Sequence, residues 1–204
     1  MKVRFFAVLL AFLILTLTGC GSDSDNNPFV TTSIFSDARF DGDIRQDSFG
    51  FTITQGTTPS VFAGLDPFSG AEYRAFLNFP LDSVHVTANI ESAFLDIFIN
   101  DVITQFSTDT IPLRIDLVIL PSPFLVGTYF DFSEQLSLSI RPAISRADTN
   151  SNITIDVTPL MIEAQRLKLA DFQIRIMEDF GIVVPGLIEI NETTFPPLLT
   201  VTYF

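Results

Sequence analysis

The 204-residue chain has one cysteine, one histidine and no tryptophan. Each scarcity excludes a kind of chemistry. Cys20 has no second cysteine to pair with, which removes internal disulfides and cysteine-rich zinc sites. His85, standing alone, cannot build a multi-histidine metal site. A Ser-His-Asp triad would have to use it, and no nucleophile-elbow motif lies nearby. Without tryptophan, the rings that commonly stack on sugars reduce to Tyr73, Tyr129 and Tyr203. Basic residues are few as well. Eleven Lys and Arg against 24 Asp and Glu give a net charge of -13, which repels phosphate backbones and excludes nucleic acid as a partner. No glycine-rich phosphate loop is present. The run Phe5 to Leu17 falls short of the roughly 20 apolar residues that a spanning helix needs.

That short run suits a cleaved export signal, for which about 7–15 apolar residues suffice. Lys2 and Arg4 precede it, Leu17-Thr18-Gly19-Cys20 closes it, and a polar stretch follows from Gly21 to Asn27. The closing four residues resemble the bacterial lipobox. The resemblance implies that Cys20 is acylated and becomes the first residue of the mature protein, with the membrane as its partner through that anchor. Gly21, rather than an aspartate, follows the cysteine, which by the same resemblance implies an outer-membrane lipoprotein, periplasmic or surface-exposed. The expected divisions are a signal peptide at 1–19, the lipidated cysteine and a flexible tether at 20–37, and one folded domain at 38–204. Loss of Lys2 and Arg4 with the signal takes the net charge to -15.

Apolar residues make up 47% of the chain and charged ones 17%, with 22 Phe, so a packed aromatic core is expected. Period-two alternation, the mark of strands with one buried face, runs through most of the sequence. Tyr73, Ala75, Leu77 and Phe79 form one such row, and Ala93, Leu95, Ile97 and Ile99 another. The second also carries Phe94 and Phe98 on its alternate side, which predicts a central strand. Leu113 to Ile119, Leu136 to Ile140, Ile153 to Val157, Phe172 to Ile176 and Leu199 to Tyr203 alternate likewise. Phe124 to Phe132 reads as either an edge strand or a buried loop. Phe29-Val30 and Ile34-Phe35 predict an edge strand in the second half of the tether. One segment breaks the rhythm: Thr158-Pro159 suits a helix start, and Leu160, Ala164 and Leu167 recur at helical spacing. The expected class is all-β, a two-sheet antiparallel sandwich of jelly-roll type with one short helix around 159–169.

Three segments in order resemble the DNRLRE (disaggregatase-related repeat) domain, akin to TGF-β propeptide-like and carbohydrate-binding-module sandwiches. They are Tyr73-Arg74-Ala75-Phe76-Leu77-Asn78-Phe79-Pro80-Leu81, Ile90 to Ile99, and Ile153 to Leu160 with its helix and the closing Leu199-Thr200-Val201-Thr202-Tyr203. The resemblance implies a non-catalytic module of surface proteins, with a polysaccharide as one class of partner, and brings no catalytic residue with it. The residues themselves offer carboxylates. Asp41-Gly42-Asp43 with Asp47 reads as a solvated turn, a structural calcium loop being the alternative. Asp96, Asp116 and Asp156 stand in strands, where a pair could hydrolyse glycosides if brought together; Asp156 also suits the corner into the helix. The expected role is that of a lipid-anchored envelope module, structural or binding a protein of the envelope. Glycan binding is the second reading and a carboxylate hydrolase the third.

Overall fold

Residues 28–106, 110–131, 136, 138–179 and 184–204 are described by the computed structural model. The expected signal and Cys20 lie outside them. Strands alternate with short turns through β1 (Val30–Phe35), β2 (Gly42–Asp47), β3 (Gly50–Gln55), β4 (Ser60–Leu65), β5 (Glu72–Pro80), β6 (Ile90–Thr104) and β7 (Thr110–Leu117). Then come β8 (Ala143–Ser145), β9 (Ser151–Asp156), the helix α1 (Thr158–Leu167), β10 (Asp171–Glu178), β11 (Gly186–Asn191) and β12 (Leu198–Tyr203). All named pairings are antiparallel. The strands form one curled sheet in the order β1-β12-β6-β11-β4-β5-β10-β7-β8, a half-barrel, with β2-β3 added to β5 and β9 to β6.

The centre is β6. Its inward residues Ala93, Leu95, Ile97 and Ile99 are fully buried, as the alternation predicts. On one edge it meets β9; on the other, β12 covers its first half and β11 its second. Phe79 and Phe172 face each other across β5 and β10, with ring centroids 6.2 Å apart, in the same core. Gly64 lets β4 reach β11: it holds φ +115°, and a Cβ there would fall 2.2 Å from the Gly186 carbonyl oxygen.

The helix begins at the expected place, but Thr158 is its first residue and not its cap: the cap position falls on Val157, without a side-chain cap bond, and Pro159 stands in the first turn. Asp156 Oδ1 accepts the Thr158 N–H at 2.9 Å, and the Thr158 hydroxyl accepts the Ala93 N–H at 2.9 Å, pinning α1 to β6. Leu160, Met161 and Ala164 face the core. The loop after β7 resolves the open reading of Phe124 to Phe132 for its described part: it is a loop with three buried side chains, while Phe124 and Val126 stay exposed. Leu125, Tyr129 and Phe130 pack on Ile44 and Phe76, on the outer side of β2 and β5.

Two expectations are corrected. Folded structure starts before the boundary at 38, because β1 pairs along its whole length with β12. The described residues of Leu136 to Ile140 form no continuous strand: Ile140 bridges to Ile115 and the Leu136 N–H reaches the Leu117 carbonyl, but Leu138 is 78% exposed. Pro142 follows closely and has no N–H to extend that ladder.

Candidate binding groove

The outward side of β6 carries Phe94, Asp96, Phe98 and Asn100. The segment joining β11 to β12 crosses it, and Asn191 shapes that crossing. Its Oδ1 accepts the N–H groups of Thr193, Thr194 and Phe195 at 3.1, 2.8 and 2.8 Å, winding the chain into a tight turn. The turn lays Phe195 on Phe98, with centroids 4.5 Å apart and planes 24° from parallel. Asn191 is itself oriented from beneath. Its Nδ2 donates to Asn100 Oδ1 at 2.9 Å, and Asn100 Nδ2 donates to Ser60 Oγ and Glu189 Oε1.

Phe35, at the end of β1, and Leu198 form the opposite wall; Asp96 and Asn152 supply polar groups between. The result is an open groove of about 570 Å³. Phe35 is 60% exposed and Phe195 53%, so the walls present ring surface to solvent. Asp96 accepts the Thr154 hydroxyl of the neighbouring strand. Asn191→Ala removes three backbone acceptor contacts, at a cost of about 1–2 kcal/mol. It should lower the melting temperature by a few degrees and speed amide exchange at Thr193 to Phe195 while the core amides stay protected.

Behind the groove lies a second cluster. Glu192, only 4% exposed, meets Asp41 from the β1–β2 connection, with the Ser36 hydroxyl beside them. Asp41 Oδ1 accepts the Asn78 N–H at 2.7 Å. No basic side chain among the described residues offsets these two carboxyls. Burial, then the neighbouring Asp41 carboxylate, pushes Glu192 up to about 9, and burial also raises Asp41. The pair therefore holds a proton at neutral pH.

The expected site residues are dispersed. Asp41-Gly42-Asp43 is not a solvated turn: Gly42 and Asp43 open β2, and both aspartates are buried, Asp43 against β4. Nor do they gather as a calcium loop. Asp41 serves Asn78, Asp43 Oδ2 accepts the Phe62 N–H at 3.1 Å, and Asp47 accepts the Phe49 N–H and pairs with Arg45. Among the described residues no group of three or more His, Cys, Asp or Glu is arranged to hold a metal. Asp116 is fully buried against Arg175, Arg114 and Ser139; Asp156 sits at the helix corner; Asp96 alone reaches the groove. His85 Nδ1 closes a local turn with Thr87 at 2.8 Å. Tyr129 is buried, its hydroxyl accepting the Ser122 N–H, and so offers no exposed ring.

The groove's aromatics were missed by the sequence reading. Phe98 on the polar side of β6 was a usable signal, but it reads equally well as central-strand burial. No protein-family model matches the chain, and no curated protein shows significant similarity to it.

Proposed function

We propose that this chain is a lipid-anchored module of the bacterial cell envelope that binds a protein partner through the Phe35–Phe98–Phe195 groove and performs no chemistry itself. The groove carries the reading. Its ring pair is already ordered by Asn191, so little side-chain freedom remains to be lost on binding. Open aromatic surface rimmed by polar groups is the usual form of an interaction site. Of the strand aspartates that could have formed an acid–base pair, Asp116 is spent on Arg175 and Asp156 on the helix corner, which leaves Asp96 without a second carboxylate in the groove.

Anchoring rests on the lipobox resemblance at Cys20, with outer-membrane sorting following from Gly21. The described fold is entered beside Val30, whereas the groove adjoins Phe35 at the other end of β1, roughly 16 Å further along the strand. The tether and the groove thus occupy different ends, which leaves the groove free when the anchor is seated. We read the curled sheet as a jelly-roll-type sandwich hinged at the β4–β5 hairpin, since one core takes side chains from both β6 and β5.

Two measurements test this. Radiolabelled palmitate should attach to the wild-type chain and not to Cys20→Ser, which should leave the membrane fraction; a Cys20→Ser chain that stays membrane-bound sinks the anchor. In-cell crosslinking should capture a reproducible partner that Phe195→Ala and Phe98→Ala both lose. Full retention by both variants rules out the groove.

A glycan is the second reading. It is favoured by the DNRLRE resemblance and by a ring pair set beside Asp96 and Asn152, groups able to take sugar hydroxyls. A glycan array giving signal that Phe98→Ala abolishes would move the assignment there.

A further inference from the structure

This chain repeatedly places an arginine between a carboxylate and an aromatic face. Arg74 pairs with Glu72 at 2.8 Å and lies 4.0 Å over the Phe130 ring. Arg45 pairs with Asp47 and lies 5.9 Å over Tyr73; Arg39 pairs with Asp37 and lies 5.2 Å over Phe40. In all three the acid and the arginine are two residues apart. Seven arginines in total find a carboxylate within the described fold.

The groove has the same two outer parts. Asp96 and Phe98, two residues apart on one side of β6, set a carboxylate next to a ring stacked on Phe195. Asp96 is bonded to the Thr154 hydroxyl and belongs to none of the arginine pairs. Among the described residues it is the sole charged one lining the groove. We infer that the groove receives an arginine side chain of a partner protein, its guanidinium held between the Asp96 carboxylate and the Phe98–Phe195 rings, a contact that rests on the groove being the binding site.

Arginine fits better than lysine. Its flat guanidinium can lie on a ring while donating two parallel hydrogen bonds to a carboxylate, whereas an ammonium is a compact, strongly hydrated point charge. The net charge of -13 adds a long-range pull on any basic segment, which raises its rate of encounter and makes that rate fall with salt. A sugar would use the rings and the polar groups but gain nothing from this field.

The test pans a random peptide library against the detergent-solubilised full-length chain, in wild-type, Asp96→Asn and Phe98→Ala forms. The wild type should enrich arginine, next to apolar residues, severalfold over the starting library and over lysine. A selected peptide should bind Asp96→Asn about tenfold more weakly and lose affinity as sodium chloride rises. Asp96 is partly exposed, so Asn should leave melting unchanged, and a matched melting curve confirms that the loss is local. Peptides that need Phe98 but tolerate Asp96→Asn, or that carry lysine as often as arginine, overturn the arginine assignment and leave the groove reading standing. A library with no Phe98-dependent peptide overturns both.

Discussion

Replacing Glu192 by glutamine should stabilise the fold at pH 8 and leave it nearly unchanged at pH 4.5. Glu192 is buried beside Asp41 with no cation, and its carboxyl is pushed up to about 9 from an ordinary 4.5. In the unfolded chain it ionises freely above 4.5. Folding at neutral pH must therefore return a proton to it. The stability lent by the protonated pair is complete below pH 4.5, declines as pH rises above that, and is gone once pH passes about 9. Glutamine keeps the shape and offers an N–H to Asp41 in place of the carboxyl proton, without the ionisation cost. The gain expected at pH 8 is roughly 1–3 kcal/mol, or several degrees in melting temperature. Melting curves of both forms across pH 4 to 9 decide it. A variant less stable than wild type at every pH would show that the carboxyl needs both oxygens, not one proton.

The same sign applies elsewhere in the molecule. Burial, with the Glu72 charge behind it, pushes Glu178 up to about 7; burial pushes Asp43 up to about 6. Both contributions are lost as pH rises through those values. Against them stand groups held below their ordinary value, such as Asp116 and Asp66, whose contributions are lost as pH falls below about 4. The wild-type stability maximum should therefore lie near pH 4–5, on the acid side of neutrality, and Glu192→Gln should broaden it upward. Equilibrium denaturation at a series of pH values locates it; a maximum at pH 7 or above contradicts the assignment.

Much of the scaffold could be read in the chain. Ala93 to Ile99 carried apolar residues on both sides, and β6 does pair on both edges. Thr158-Pro159 and Asp156 marked the helix corner, because a proline and an aspartate turn act within a few residues, although the cap itself falls on Val157. The tether's Ile34-Phe35 gave the edge strand. What escaped depends on contacts far apart in sequence. Glu192 is buried beside Asp41, which comes from the distant β1–β2 connection. Asp43 is likewise hidden by residues distant in sequence, its carboxylate accepting the Phe62 N–H of β4. Leu138 shows the converse: it keeps the alternation, yet its side chain is 78% exposed. The groove needs Phe35, Phe98 and Phe195 from three separate strands and connections, and period-two spacing in one strand is silent about the next.

Asp116→Ala should be among the most damaging single changes, at about 3–5 kcal/mol. Asp116 and Arg175 are register partners on β7 and β10, and both are almost wholly buried. Burial by itself would raise Asp116. The Arg175 hydrogen bond at 2.8 Å, the Ser139 hydroxyl at 2.6 Å and the nearby Arg114 outweigh it and hold the carboxyl below 3.8. Removing the carboxylate deprives the buried Arg175 guanidinium of its nearest counter-charge, and the loss is that desolvation cost, not the worth of the pair. The two can be separated. Changing both residues, Asp116→Leu with Arg175→Met, removes the charges together and fills the space with apolar atoms, so the double variant should recover most of the stability. A double-mutant cycle by urea denaturation reads the difference. If the double variant is as unstable as Asp116→Ala, the pair is a stabilising bond in its own right. If it recovers, Asp116 is a structural counter-ion, and of Asp96, Asp116 and Asp156 it is Asp96 that lines the groove.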